Sequence, residues 1–196
     1  RQIKLCSKSC FDHWIGDKFC DNPCNVPECG FDAGDCGFTR IVAELPSVVV
    51  KKKTSKFYLK GDLKSVYCDL TNVIPASATI RSGSHNNHDW IRSSTLSQKQ
   101  KMMTITFFKT QAELAALNAT LTNPPASNAT ASQQEPKITP FEADKNVTVV
   151  IEADNIVLNK ETGMNTTETI KITIFLIGKD HRSLLFKTAN ASVILD

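Results

Sequence analysis

Cys6-x3-Cys10-x9-Cys20-Asp21-x2-Cys24-Asn25-x3-Cys29-Gly30-Phe31-Asp32-Ala33-Gly34-Asp35-Cys36 decides how this chain is organised. Six of its seven cysteines fall inside these 31 residues, and only Cys68 lies elsewhere. A peptide this short cannot bury enough apolar surface to offset roughly 1.5 kcal/mol of conformational entropy per ordered residue, so covalent or metal staples must hold it. Structural zinc wants about four ligands in paired short spacings, whereas these gaps are irregular and no histidine falls in phase with them. Disulfides are the reading the spacing favours, and the spacing alone leaves open every pairing that six cysteines allow.

The same window is acidic. Lys8 and Lys18 stand against Asp12, Asp17, Asp21, Glu28, Asp32 and Asp35, a net charge of −4, which leaves +7 on the rest of a chain whose total is +3. So many carboxylates around almost no core repel one another unless a cation sits among them or water solvates them all. Calcium suits flexible, oxygen-rich loops. Phe31-Asp32-Ala33-Gly34-Asp35-Cys36 places two aspartates three apart around a glycine, a turn able to aim both at one ion. It is not the EF-hand spacing, which alternates acidic residues ahead of its glycine. A solvated acidic loop is the alternative reading of the same residues.

Taken together, the six cysteines, the Cys24-Asn25 step and the Asp32-Ala-Gly-Asp35-Cys36 ending resemble the Lin-12/Notch repeat, a small calcium-binding disulfide module. The resemblance implies pairing of Cys6 with Cys29, Cys10 with Cys24 and Cys20 with Cys36. It further implies calcium held by the side chains of Asp17, Asp32 and Asp35 and by the backbone carbonyl of Trp14. Asp21 is left as either a further ligand or an acceptor just behind the ligands.

Five acceptor sequons begin at Asn118, Asn128, Asn146, Asn165 and Asn190, and they predict a glycoprotein of the secretory pathway, where disulfides persist. Hydrophobic residues at 41% and charged residues at 22% are the composition of folded protein. No run approaches the roughly 20 apolar residues that span a bilayer. The chain opens at Arg1 without initiator Met, and is expected to be a segment of something longer. A net charge of +3 with 7% aromatic residues argues against nucleic-acid binding.

Residues 1–38 are therefore expected to form the repeat, and residues 39–196 a β-rich interaction domain resembling an antiparallel sandwich. The expected strands are Arg40 to Leu45, Val48 to Lys52, Lys56 to Lys60, Ser65 to Leu70, Ala78 to Arg81, Met102 to Lys109, Asn146 to Ala153, Thr169 to Ile177, Leu184 to Lys187 and Ala191 to Leu195. Alternation such as Ile170-Lys171-Ile172-Thr173-Ile174 predicts one buried face per sheet. Thr110 to Asn118 reads as a short helix, and residues 119–143, rich in Pro, Ser, Ala, Thr and Gln, as a mobile glycosylated loop. The β domain is expected to survive loss of the module's disulfides.

No catalytic residues are expected. His85-Asn86-Asn87-His88-Asp89 follows Ser82-Gly83-Ser84 and reads as a surface loop, and Lys51, Lys52, Lys53, Lys56 and Lys60 as a solvated turn guarding a sheet edge. HExxH, Gly-x-Ser-x-Gly and phosphate-cradling patterns are all missing. Cys68 has no eighth cysteine to join; it is a buried thiol, an intermolecular bridge or, the favoured reading, the partner of a cysteine outside this segment.

Trp14-Ile-Gly-Asp-Lys-Phe-Cys-Asp21 and Cys29 to Gly37 look more like the second Lin-12/Notch repeat of the N-acetylglucosamine-1-phosphotransferase alpha/beta subunits than like Notch itself. Phe57-Tyr-Leu-Lys-Gly61 with Cys68, and Gly163-Met-Asn-Thr-Thr167, are similar to the segment that follows that repeat. The resemblance implies a membrane-anchored Golgi transferase that moves N-acetylglucosamine-1-phosphate from UDP-N-acetylglucosamine to mannose on lysosomal enzymes, within the mannose 6-phosphate targeting route. In it, this segment would be a luminal, non-catalytic region that binds the gamma subunit and helps select lysosomal enzyme acceptors. The runner-up is a Notch-like receptor ectodomain, in which several tandem repeats are expected rather than one. A secreted metalloprotease accessory segment lacks any zinc motif.

Overall fold

The structure, a computed structural model, describes residues 5–108, 145–179 and 192–193. The expected helix Thr110 to Asn118, the loop 119–143 and the strand Leu184 to Lys187 lie outside the described residues. The cysteine-rich part is built from short 3-10 turns at Asp12–Trp14, Asn22–Cys24, Pro27–Cys29 and Phe31–Gly34. It is followed by one helical turn and a half, α1 (Thr39–Glu44), and then by strands β1 (Ser47–Val49), β2 (Thr54–Lys60), β3 (Ser65–Asp69), β4 (Thr79–His85), β5 (Ile91–Ser97), β6 (Met102–Phe107), β7 (Asn146–Leu158), β8 (Asn165–Lys179) and β9 (Ser192–Val193).

The strands form two sheets, ordered β1-β3-β6-β5 and β4-β7-β8-β2-β9. Both are mixed: β1 joins β3, and β2 joins β8 and β9, in parallel, while the remaining pairs are antiparallel. Alternate residues of each sheet meet in one core. Val66 and Cys68 of β3 and Met103, Ile105 and Phe107 of β6 pack with Phe57 and Leu59 of β2, Val147, Val149 and Ile151 of β7, and Ile170, Ile172, Ile174 and Leu176 of β8. Trp90, just ahead of β5, stacks on Phe107 with centroids 4.5 Å apart.

One strand expectation is corrected, and one strand was not expected. Arg40 to Leu45 is not a strand: Ile41 and Leu45 are buried while Ala43 between them is exposed, a spacing of four that a helical turn achieves, whereas an extended chain, with its period of two, would bury Ala43 as well. The Arg40–Glu44 ion pair at 2.9 Å adds the matching i,i+4 contact on the exposed side, and Pro46 follows. Conversely, the polar run Ile91-Arg-Ser-Ser-Thr-Leu-Ser97 is strand β5, which no apolar alternation announces. Its pairing with β6 and the cover on its outer side make it a strand.

That cover also corrects the expectation of one buried face per sheet. Every residue of β6 is buried. Met102, Thr104 and Thr106 point away from the sandwich core and are roofed by the disulfide module. Phe31, Ile41, Leu45 and Met102 form one apolar cluster, with Phe38 and Tyr67 packed against it. Burying side chains such as Phe31 and Ile41 is worth about 1.5–3 kcal/mol each. Gly30 lies so close that a Cβ there would stand 2.8 Å from Thr106 Oγ1 and 3.2 Å from Thr104 Cγ2. Ser65 and Thr106 hydroxyls hydrogen-bond beneath it at 3.2 Å. Among the described residues, ion pairs cross the seam from Arg92 to Asp12 at 2.9 Å and from Lys64 to Glu28 at 3.1 Å.

Cys68 is unpaired and fully buried among the inner residues of β3, where burial pushes its thiol up to about 12. The favoured expectation of an external partner is therefore corrected: a sulfur packed inside the sandwich is out of reach of another chain.

Gly30→Ala must hold a left-handed φ and also displace Thr106, whereas Gly37→Ala, also at positive φ, meets nothing within 4 Å. Gly30→Ala is expected to lower stability by about 1–3 kcal/mol more than Gly37→Ala, read from urea midpoints. Reducing the three disulfides should also weaken hydrogen-exchange protection of the Met103 and Ile105 amides, because the roof over β6 goes with them.

Candidate metal centre

Three disulfides stand in for a core in the module. Cys6 is joined to Cys29, Cys10 to Cys24 and Cys20 to Cys36, across separations of 23, 14 and 16 residues. Loops of this size constrain the unfolded chain by roughly 3 kcal/mol each in the chain-entropy account. The apolar cluster around Cys6, Cys10, Cys24 and Cys29 adds just Ile15 and Ala33, with Trp14 and Val26 packed alongside.

The acidic residues are placed by an uncommon backbone. Gly30, Phe31, Asp32, Ala33 and Gly34 all have positive φ, at 64°, 50°, 57°, 53° and 93°. Three of these five are not glycine, and each costs of order 1 kcal/mol or more in that region. The turn carries Asp32 inward, to zero exposure. There its Oδ2 accepts the Asp21 N–H at 2.7 Å, and the Gly16 N–H also stabilises its charge. Asp35 Oδ2 accepts the Lys18 N–H at 2.9 Å, and Asp17 Oδ1 accepts the Phe19 N–H at 2.9 Å. The Trp14 carbonyl accepts a long hydrogen bond, 3.4 Å, from the Asp17 N–H.

Asp17 bears directly on both Asp21 and Asp35. Burial, then the neighbouring Asp35 and Asp21 charges, push Asp32 up to about 6 against the two amide bonds. Asp35 is raised by burial and by the charges of Asp17 and Asp21, with the Lys18 amide opposing; Asp21 is raised by burial and then by Asp17. Two oxygens are buried with no hydrogen-bond partner, Asp32 Oδ1 and Asp21 Oδ2. A buried anionic oxygen without a donor is costly, and a hard cation is the group that satisfies several at once. The chemistry of the donors, Asp17, Asp32 and Asp35 with the Trp14 carbonyl, and Asp21 through its own orphaned oxygen, suits a hard cation such as calcium, although no three of these carboxylates bring oxygens within 4.8 Å of one another. The carboxylates are loosely gathered. Among the described residues, the trio of ligand-type atoms lying within 4.8 Å of one another is the sulfur set of Cys6, Cys10 and Cys29, already committed to disulfides.

The other candidate features lie apart. His85 and His88 are ring neighbours at 4.8 Å at the end of β4, with His85 Nδ1 beside the Asn86 carbonyl at 2.8 Å. Lys51, Lys52, Lys53 and Lys56 are exposed in and beside the β1–β2 connection. Asn146 and Asn165 are both exposed, and the β7–β8 register puts them at opposite ends of the outer face of their sheet. Asn118, Asn128 and Asn190 lie outside the described residues. Arg92, Gly16 and Gly30, which seat the module on the sheet, were not legible as functional residues, because their partners are distant in sequence.

A family model described as the GNPTAB immunoglobulin-like domain matches residues 43–150, and one described as the LNR domain of Notch matches residues 3–37. A curated relative from Mus musculus, named N-acetylglucosamine-1-phosphotransferase subunits alpha/beta, is 32% identical over 99 residues, half of this chain and 8% of the relative. Its Homo sapiens counterpart of the same name is 38% identical over 60 residues, 31% of this chain and 5% of the relative. The chain thus spans less than a tenth of the length of the relatives it matches.

With chelator present, the raised carboxyls make stability pH-dependent. The folded chain binds more protons than the unfolded chain between the ordinary value of 3.8 and about 6, so stability is highest below that window and is lost as pH rises through it. Urea midpoints in chelator should fall from about pH 4 to pH 6, and Asp32→Asn, which stays neutral, should flatten that slope.

Proposed function

The chain belongs to the family of GNPTAB immunoglobulin-like domains, with an LNR domain ahead of it, and on that premise we propose that it is the non-catalytic protein-interaction region of a Golgi UDP-N-acetylglucosamine:lysosomal-enzyme N-acetylglucosamine-1-phosphotransferase. The parent is the enzyme; this segment binds its gamma subunit and contributes to recognition of lysosomal enzyme acceptors. It works in the Golgi lumen, within a membrane-anchored glycoprotein, on the route that yields mannose 6-phosphate.

One observation carries the reading. In the concentrated set of titratable side chains Asp17, Asp21, Asp32 and Asp35, three carboxylates are braced by backbone amides, Asp17 by Phe19, Asp35 by Lys18 and Asp32 by Asp21 and Gly16. Carboxylates fixed in this way suit a structural cation cage, whereas a general acid and base must be free to exchange protons with a substrate. The reading assigns calcium to Asp17, Asp32, Asp35 and the Trp14 carbonyl. The ion's role there is structural, since it neutralises a module of net charge −4.

The surfaces left for a partner follow from what covers the sandwich. The module roofs one sheet, and glycans on Asn146 and Asn165 would shadow the outer face of the other. Among the described residues the two sheets end in β1, β5, β4 and β9, with Gln98 bonded to the Ile80 backbone of β4, and unpaired strand edges can accept another chain.

Calorimetric titration of the intact chain should show calcium binding on the order of micromolar to millimolar, and Asp35→Ala should weaken it at least tenfold. The purified chain should leave UDP-N-acetylglucosamine intact, while deletion of residues 39–196 from the parent should abolish co-purification of the gamma subunit. Turnover by the segment, or retained gamma-subunit binding after the deletion, would overturn the proposal.

A further inference from the structure

The segment that leads into the acidic centre is held by a side chain from outside its own module. Arg92 sits at the irregularity of β5, where the pairing with β6 slips between Ile91 and Ser93. The extra residue at such a bulge re-aims its side chain. Here the guanidinium is turned under the module. Its side chain is only 3% exposed, lies over the Phe108 ring at 4.5 Å and donates from Nη1 to Asp12 Oδ1 at 2.9 Å.

Asp12 begins the segment that ends at the centre. It opens the 3-10 turn Asp12–Trp14, its carbonyl accepts the Ile15 N–H, and the Trp14 carbonyl accepts the Asp17 N–H. These successive tight turns leave little slack between Asp12 and Asp17. Midway, Gly16 touches the sandwich again: a Cβ there would stand 2.5 Å from Thr95 Oγ1 of β5, and its N–H supports the Asp32 carboxylate. One short segment thus rests on β5 on one side and supplies Trp14, Gly16 and Asp17 to the acidic centre on the other.

We infer that Arg92 is a positioning residue for the cation centre, holding Asp12–Asp17 through its ion pair with Asp12 so that calcium affinity and docking of the module on the sheet are coupled. The inference rests on the calcium reading given above. Any ion that binds the docked arrangement more tightly must, by linkage, stabilise docking by the same factor. Lys64–Glu28 crosses the same seam but is half exposed and far in sequence from Asp12–Asp17, so it serves as the internal control.

The test is a calorimetric calcium titration of the intact chain as wild type, Arg92→Gln, Arg92→Lys, Asp12→Asn, the Asp12→Asn/Arg92→Gln double variant and Lys64→Gln. Arg92→Gln and Asp12→Asn should each weaken calcium by about 5- to 150-fold, the range of ordinary coupling, with Arg92→Lys intermediate. The double variant should be no weaker than the worse single one, a non-additivity that general loss of stability does not produce. Lys64→Gln should stay within about threefold of wild type. Wild type that binds calcium with Arg92→Gln and Asp12→Asn binding it equally well would overturn the role of Arg92 alone. A wild-type chain that binds none would remove the calcium reading beneath it. If Arg92→Gln fails to fold, Asp12→Asn, altered on the module side of the same pair, decides the question by the same affinity.

Discussion

Strand β6 is buried on both faces, and the arrangement of the molecule follows from that. Met103, Ile105 and Phe107 serve the core between the sheets, while Met102, Thr104 and Thr106 serve a second, flatter contact with the disulfide module. A strand with one wet face tolerates many outward residues; a strand roofed this closely does not. Threonine fits because it is small, β-branched and able to satisfy its hydroxyl locally, as Thr106 does with Ser65. The module needs the contact as much as the sheet does. With four buried cysteines, Cys6, Cys10, Cys24 and Cys29, and with Ile15 and Ala33 as its own apolar interior, it completes its packing by giving Phe31 to the seam, where Ile41 and Leu45 of the connecting turn close over it.

Charge acts in the same direction as packing. The module is net negative and the remainder net positive, and the contacts that cross the seam pair them in that sense, Asp12 with Arg92 and Glu28 with Lys64. Their weights differ. Lys64–Glu28 is open to solvent and screened, worth at most about 1 kcal/mol. Arg92 is enclosed, so loss of its partner leaves a desolvated guanidinium, and the pair acts as a strong constraint on register even where its net contribution to stability is small.

The run of left-handed residues from Gly30 to Gly34 joins the two themes. It turns Asp32 into the module and, one residue earlier, Phe31 out of it into the seam. Backbone held in a costly conformation persists only where its surroundings over-determine it. Here the surroundings are the Cys29 and Cys36 disulfides at either end, Thr104 and Thr106 beneath Gly30, and the amides of Asp21 and Gly16 on the Asp32 carboxylate. The site and the interface are two sides of one strained turn.

Whatever depends on neighbours along the chain was legible before any fold was known. Cysteine density marked out the module, the clustered aspartates marked its acidic centre, and period-two alternation marked β7, β8 and much of β2, β3 and β6, because each signal is written within one continuous stretch of chain. Where two local signals competed, the reading failed: Arg40 to Leu45 is as apolar as a strand, and only the exposure of Ala43 between the buried Ile41 and Leu45 selects the helix. Strand β5 has no apolar alternation, since its outer side faces Gly16 and Asp12 rather than an oily core. It took the docked, three-dimensional arrangement to pair β1 and β2 in parallel with their neighbours, to seal Cys68 inside, and to bring Arg92, 80 residues from Asp12, to the module. Such contacts are fixed by how the two units dock, and a single chain carries no local pattern for a surface whose complement lies on another element.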